Sequence, residues 1–302
     1  FFSSRRRHTR SASVSWGSEM CIRDSPRMLR IQLQTRIKNS LYAGLHLILT
    51  GEVAPSHRHT QSALRFIIEG TRAYTAVDGE RAYMERGDLI LTPPMTWHDH
   101  GSEGDEPTVW LDGLDIPIIQ TFDASFLESF PEDSQPAVRH PGDSRVRYGR
   151  NMRPFAGKFD PTSSPVFSYP YGEYREALEQ MRVQGEWDVC HGLKMTFIYP
   201  LSGGHVMQTI AAFVQLVPKN FNTAPYRSTD ASIYTVVDGS GRACVGSEEF
   251  QLVPNDIFVV PSWYSLRVDA EEDLILFSFS DRSAQEKPVS YTHLTLPTSD
   301  LV

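Results

Sequence analysis

The sequence has little cysteine, no long apolar run and no excess of positive charge. Among 302 residues there are three cysteines, Cys21, Cys190 and Cys244, and no CxxC pair, which excludes a disulfide framework and favours a reducing cytoplasm. No apolar stretch approaches the roughly 20 residues that a membrane-spanning helix needs. The net charge of -8 argues against a nucleic-acid partner. What remains is an ordinary globular composition, with 40% hydrophobic residues.

The two ends of the chain differ from the interior and show no hydrophobic periodicity. Residues 1–25 and residues 289–302 both resemble translated sequencing-adapter sequence, although the Arg-rich start could also be taken for a transit peptide or a basic arm. We interpret both segments as artefacts and exclude them from the fold prediction, as tags are excluded. His8, Cys21 and His293 are then expected to carry no function.

Short segments rich in β-branched and aromatic residues fill the interior and alternate with turn formers. Such segments predict strands, and their even spacing predicts an antiparallel barrel or sandwich. The predicted strands are residues 41–50, 63–69, 72–78, 88–92 and 107–111. Residues 121–168 are rich in Pro, Asp and Ser and predict a long irregular connection. Residues 172–184 have the apolar spacing of a helix, with Gly185 after it.

A second strand-rich block begins near Gly204 and repeats the first. Residues 62–70 align with 231–239 at an offset of 169, and residues 87–93 align with 255–261 at an offset of 168. One domain has therefore been duplicated, and the predicted fold is all-β, with two antiparallel jelly-roll-like barrels and few short helices. The predicted division is a first barrel with the metal site at 26–120, a connecting region with one helix at 121–203, and a second barrel without metal ligands at 204–288.

Three histidines of the first block are spaced as ligands of one metal ion. His57 and His59 lie two residues apart, so that both rings point to the same face of a strand. His98 follows a Gly-x5-Pro element from which the chain can turn back and bring a third ring to the same point. An isolated HxH pair is more often a surface pair, but this added element favours a metal site. Three neutral imidazoles suit a divalent first-row metal and leave coordination positions open.

The second block provides an internal control for this interpretation. Tyr226, Ser228 and Leu266 occupy the positions that align with the three histidines. The scaffold residues persist while all three imidazoles are absent, so the histidines serve a metal rather than the fold. The sequence therefore predicts one metal ion per chain, in the first barrel.

These segments resemble the gentisate 1,2-dioxygenase family, whose members are bicupins. The resemblance is carried by residues 51–70, 93–117, 190–204 and 226–242 and covers about residues 27–285. It implies a bicupin fold with Fe(II) in the first barrel. It also implies cleavage of an aromatic hydroxy-acid such as gentisate (2,5-dihydroxybenzoate) by dioxygen, which gives maleylpyruvate in aromatic catabolism. Family members are commonly homotetramers, which implies a homo-oligomer.

Two departures from the general cupin pattern bear on this resemblance. Many cupins supply a carboxylate ligand shortly after the HxH pair, but residues 60–64 contain none. The family uses three histidines alone, so this departure agrees with it. Ser102 replaces the Asn that usually closes the second cupin motif, which we treat as neutral.

Four further residues are predicted to lie in the pocket. Arg65 follows His59 by six residues, and its planar fork suits a carboxylate. The resemblance also assigns Arg65 to substrate binding, although a surface salt bridge is the alternative. His100 is predicted to act as an acid or base near bound oxygen. The resemblance places Gln61 where it could hydrogen-bond a substrate oxygen, and Asp112 where it could orient a histidine ring.

Other functions remain open at this stage. The chain could cleave salicylate or 1-hydroxy-2-naphthoate, because spacing does not reveal pocket width. It could be a non-catalytic ligand-binding or storage bicupin. It could also be a zinc cupin such as an isomerase.

Overall fold

A computed structural model describes residues 40–156 and 164–287, together with the backbone of two short strands at 29–32 and 293–295. The predictions for residues 1–25 and for the rest of 289–302 therefore lie outside the described residues. Strands dominate what is described, and the helices are α1 (Ile116–Thr121), α2 (Asp143–Tyr148), α3 (Tyr171–Gln184) and α4 (Arg282–Gln285). Within the described residues, no helix combines the length and the apolar character that crossing a membrane requires.

The strands fall into two series of similar lengths. The first series is β1 (Leu29–Gln32), β2 (Tyr42–Ile48), β3 (Val53–His59), β4 (Ala63–Glu69), β5 (Ala73–Val77), β6 (Glu80–Met84), β7 (Leu89–Thr92), β8 (His98–Ser102), β9 (Thr108–Leu114), β10 (Leu127–Ser129) and β11 (Ser168–Tyr169). The second series is β12 (Leu193–Thr196), β13 (Ala211–Val217), β14 (Tyr226–Ser228), β15 (Ser232–Asp238), β16 (Gly241–Val245), β17 (Glu248–Leu252), β18 (Ile257–Val260), β19 (Leu266–Ala270), β20 (Leu274–Ser280) and β21 (His293–Thr295). All five predicted strands are found, within a few residues at their ends.

Each series forms two facing antiparallel sheets. The first barrel has the strand orders β1-β2-β9-β4-β7-β11 and β10-β3-β8-β5-β6. The second has β12-β13-β20-β15-β18 and β17-β16-β19-β14-β21, which is the same arrangement strand for strand apart from β11. The predicted all-β fold with two duplicated barrels is therefore confirmed. β12 precedes Gly204, where the sequence placed the start of the second block, and β21 lies within residues 289–302.

The connecting region is more ordered than its composition predicts. β10 pairs with β3 and β11 pairs with β7, so this region extends both sheets of the first barrel at their edges. The predicted irregular connection is thus interrupted by two edge strands and the short helix α2. The predicted helix is confirmed as α3 and ends where Gly185 adopts a φ of 73°, the left-handed conformation that glycine tolerates best.

The two barrels pack back to back through one continuous core. Phe66 on β4 stacks on Phe277 of β20 with ring centroids 4.1 Å apart. Gly113 allows the two sheets to approach, because a Cβ at this position would lie 2.5 Å from the ring of Phe279. β4 is buried over nearly its full length, since one face of its sheet meets the second barrel and the other lines the interior of the first.

Candidate metal centre

The three predicted ligand histidines converge inside the first barrel. β3 carries His57 and His59, and the antiparallel partner β8 begins at His98, directly opposite His57. The ring centroid of His98 lies 4.4 Å from that of His57 and 4.7 Å from that of His59. One ring nitrogen of each histidine lies within 4.8 Å of the corresponding nitrogens of the other two histidines. The pairing of two strands thus brings together rings that are 39 residues apart in the sequence.

Backbone carbonyl groups fix the orientation of all three rings. Each Nδ1 atom lies within hydrogen-bonding distance of a carbonyl oxygen, and these oxygens belong to Pro55 (2.8 Å), Gln61 (2.9 Å) and Thr96 (3.0 Å). A carbonyl oxygen only accepts, so each Nδ1 must donate and each neutral ring presents the lone pair of Nε2. The Nε2 atom of His98 is buried and has no hydrogen-bond partner in the described part of the chain. A buried ring nitrogen that has a lone pair but no protein partner is suited to bind a metal ion.

Burial keeps two of these rings, those of His59 and His98, in the uncharged form that binds metal. Desolvation, followed by the nearby ring of His57, lowers the pKa of His59 to about 3. The same two causes hold the pKa of the fully buried His98 well below its usual value. Neutral imidazoles in a closed group fit a divalent first-row ion with three protein ligands, and such a set leaves positions for other ligands.

Arg65 lies in the same interior, held by two polar partners. Its side chain is buried, and Nη1 donates to the hydroxyl of Thr92 over 2.7 Å. Its Nε lies 3.2 Å from one carboxylate oxygen of Asp112. This partner is itself buried, so the pair is an internal one and not the surface salt bridge that was the alternative.

Asp112 contacts a histidine, but not one of the three ligand candidates. Its second oxygen lies 3.2 Å from Nδ1 of His46 on β2. The ligand rings are oriented by carbonyl groups instead, so the ring that Asp112 can orient is His46. Sequence reasoning assigned no role to His46. The only sequence signal was a single histidine on an otherwise apolar strand. This signal does not reveal the pairing of β2 with β9, which brings His46 next to Asp112.

His100 and Gln61 are also placed beside the triad. The ring centroid of His100 is 5.8 Å from that of His98, and its Nδ1 lies 3.1 Å from the hydroxyl of Thr75. Its buried Nε2 has no hydrogen-bond partner among the residues described. Gln61 is buried, and its backbone carbonyl oxygen accepts from Nδ1 of His59. Its side-chain amide nitrogen lies 3.4 Å from the hydroxyl of Ser125.

Gln135, from the connecting region, braces the loop that precedes His98. The residue is buried and uses its backbone and both ends of its amide. It donates to the carbonyl groups of Ala76 (3.3 Å) and Trp97 (3.1 Å), accepts from the backbone N–H of Gly79 (2.6 Å), and donates its own N–H to Asp99 (3.0 Å). Its partners lie 36 to 59 residues away in sequence, so no local pattern could have revealed this contact.

Known proteins resemble this chain over most of its length. A family model described as Cupin domain matches residues 44–114, within the first barrel. The Gentisate 1,2 dioxygenase 1 of Aquipseudomonas alcaligenes is 54% identical over 253 residues, which cover 84% of this chain and 73% of that protein. A gentisate 1,2-dioxygenase from a Streptomyces species is 35% identical, with 82% and 71% covered.

Solved structures agree with the fold. The salicylate 1,2-dioxygenase of Pseudaminobacter salicylatoxidans superposes with a TM-score of 0.79 at 31% identity, covering 85% of this chain and 75% of that one. Procruciferin, an 11S globulin of Brassica napus, shares only the fold, with a TM-score of 0.54 at 13% identity, covering 85% of this chain and 78% of that one. The identity to curated relatives and the extent of each match show that the chain belongs to the gentisate 1,2-dioxygenase family.

Proposed function

We propose that the protein is an Fe(II)-dependent dioxygenase that opens the ring of gentisate and gives maleylpyruvate. The observation that carries this proposal is the closed group of three imidazoles, each tied through Nδ1 to a backbone carbonyl group. The 54% identity to a gentisate dioxygenase supports the choice of substrate. The reaction breaks the ring bond between the carboxyl-bearing and hydroxyl-bearing carbons, and both atoms of dioxygen enter the product.

His57, His59 and His98 would hold the ion through their Nε2 atoms. When bound, Fe(II) supplies the redox chemistry that allows dioxygen to react with the electron-rich ring. Burial keeps the rings of His59 and His98 neutral, so that no proton competes for these two ligand positions near neutral pH.

Arg65 would bind the carboxylate of the substrate. Asp112 and Thr92 fix the plane of the guanidinium group, and its remaining N–H donors can form the paired hydrogen bonds that carboxylates favour. Because the side chain is already held in a buried position, little conformational entropy is lost when the substrate binds.

His100 and Gln61 would contact the reacting oxygen atoms. Thr75 holds one nitrogen of His100, which leaves the other to exchange a proton with a substrate hydroxyl group. The amide of Gln61 can hydrogen-bond a substrate oxygen while its backbone keeps His59 in place. Both residues thus combine a fixed anchor with one polar atom for the substrate.

Oxygen uptake by the reconstituted enzyme tests the proposal. After anaerobic loading with Fe(II), we expect one dioxygen consumed per gentisate, together with the ultraviolet absorbance of the ring-opened product. Salicylate and 1-hydroxy-2-naphthoate serve as competing substrates, and a faster reaction with either would reassign the enzyme within its family. Iron-loaded protein that consumes no oxygen with any of the three acids would instead be a ligand-binding bicupin.

The metal itself is tested separately. Protein purified without oxygen is expected to contain iron, and protein loaded with zinc is expected to be inactive, because zinc has no redox chemistry. Full activity with zinc would contradict the dioxygenase mechanism.

We further propose a homo-oligomer, most simply a tetramer, in the cytoplasm. The family resemblance supports the oligomer, and the few cysteines with no CxxC pair support the reducing compartment. Light scattering coupled to size-exclusion chromatography is expected to give a mass several times the 34.2 kDa of the chain.

A further inference from the structure

The second barrel has a small polar cavity where the first barrel has its metal centre. Tyr226, Ser228 and Leu266, which align with the three histidines, all line this cavity, as does Tyr234, which aligns with Arg65. The cavity has about 10 Å³ of accessible space, close to what one water molecule needs. The duplicated fold has thus kept a ligand-sized space after losing the imidazoles.

Positive charge dominates the lining of this cavity. Lys194, Arg227 and Arg282 line it, and Asp230 is the one carboxylate among its lining residues. An oxygen of Asp230 lies 3.4 Å from Nε of Arg282, and the other accepts a hydrogen bond from the hydroxyl of Ser228. The one negative charge is therefore already engaged with Arg282, and the lining keeps a net positive charge.

Among the described residues, Lys194 has aromatic neighbours but no carboxylate within ion-pairing distance. Its Nζ lies 4.9 Å from the ring centroid of Phe213 and 5.8 Å from that of Tyr234. Across the described ranges, no carboxylate oxygen forms an ion pair with this ammonium group. Burial, and then the neighbouring Arg282, lower the pKa of Lys194 to about 8, and the carboxylates of Asp230 and Asp188 offset this only in part. Aromatic faces stabilise a cation only partly, so an anion placed beside this group would be attracted strongly in such a desolvated setting.

We propose that this cavity binds one small anion, either a chloride-sized ion or one oxygen of a carboxylate group, against Lys194 and Arg282. The positive lining excludes a metal cation, and the volume excludes a whole aromatic ring. The anion would take the place in the second barrel that the metal ion has in the first, with the charges reversed. Bound there, it would balance a polar core that otherwise holds more cations than carboxylates.

Crystals of the full chain grown in sodium bromide test this site directly. Anomalous scattering at the bromine edge is expected to give a peak in the cavity, in contact with the side chain of Lys194. Lys194→Met is expected to remove that peak, whereas Lys194→Arg, which keeps the charge, is expected to retain it. Lys219→Met, at an exposed lysine, is the matched control and should leave the peak unchanged.

Sodium formate added to the bromide crystals distinguishes the two sources of the anion. Loss of the peak would assign the site to carboxylates as well as halides, and retention would restrict it to halides; either result supports an anion site. Wild-type crystals with no bromide in the cavity at saturating concentration would overturn the proposal. Equal bromide occupancy in wild type and Lys194→Met would overturn it as well. If Lys194→Met fails to fold, Lys194→Arg still tests the site, because loss of the peak in this charge-preserving variant would contradict the proposal.

Discussion

At the scale of single residues, the metal centre depends on which nitrogen of each ring faces the ion. Since the Nδ1 atoms are committed to carbonyl groups, removing one ring removes a fixed Nε2 ligand that no neighbour replaces. We expect His57→Ala to lower iron affinity more than about 100-fold, beyond the 10–100-fold typical of an outer-shell change. Metal analysis after anaerobic reconstitution measures this.

Tyr226→Ala is the matched control, because Tyr226 occupies the same position in the second barrel. Its iron content is expected to equal that of the wild type. Equal iron loss in both variants would contradict a single metal site in the first barrel.

The pair formed by Arg65 and Asp112 gives a second prediction. Asp112→Asn removes the carboxylate charge that lies 3.2 Å from Nε of Arg65 and helps to hold the guanidinium group in place. We expect the KM for gentisate to rise roughly tenfold or more while the iron content stays unchanged. Steady-state kinetics and metal analysis on the same preparation separate the two effects.

Asp105→Asn, at an exposed acid on the loop before β9, should leave the KM unchanged. Iron loss in Asp112→Asn would instead mean that the carboxylate supports the metal centre.

The grouping of the three histidines could be predicted from sequence because the two barrels differ at these positions in a regular way. Spacing alone placed His57 and His59 on one face of a strand. The absence of histidine at the aligned positions of the second barrel then distinguished candidate metal ligands from residues that the fold itself requires. The contacts that tune these residues were not predictable. Thr75, Thr92 and the carbonyl groups are common in any strand, and only strand pairing brings them to the site.

At the scale of elements, β10 and the residues after it support the metal centre. β10 pairs with the ligand strand, with Ser129 opposite His57 and Leu127 opposite His59. The sequence could not reveal this strand, because its side chains are exposed and lack the alternation that marks the buried strands. Its conformation depends on pairing with β3. The core strands, by contrast, have a pattern imposed by burial and were predicted correctly.

Gln135 provides the test of this support. In Gln135→Ala the loop before His98 loses a brace, and we expect iron affinity to fall about tenfold, the lower end of the range for outer-shell residues. Gln135→Glu should be no better, because a carboxylate cannot donate to the carbonyl groups of Ala76 and Trp97. Competition with an iron chelator measures both affinities.

Gln180→Ala, on the exposed face of α3, is the control with a similar loss of side chain. Wild-type affinity in Gln135→Glu would show that the two donated hydrogen bonds do not position the ligand.

At the scale of the whole molecule, the two barrels contact each other through roughly equivalent surfaces. Arg86 of the first barrel contacts Asp238 of the second, and Asn255 of the second contacts Glu69 of the first. Glu69 aligns with Asp238 at the offset of 169, and Asn255 aligns with Gly87, the residue next to Arg86, at the offset of 168. The same surface of each repeat therefore faces the other, as in an isologous dimer. The sequence predicted the duplication, but not which faces would meet.

This back-to-back packing predicts that the barrels unfold together. Phe277 is fully buried and stacks on Phe66 across the junction, so removing its ring leaves a cavity in a core that belongs to both repeats. We expect Phe277→Ala to reduce the free energy of unfolding by about 3–5 kcal/mol. Calorimetry is expected to show one transition, shifted to lower temperature, because each barrel loses part of the surface that the other covers. Phe155→Ala, at a fully exposed phenylalanine, controls for loss of the ring alone and should change stability by less than about 0.5 kcal/mol. Two separate transitions, with only the second barrel destabilised, would mean that the repeats are independent domains and that the junction does not couple the metal-binding barrel to its partner.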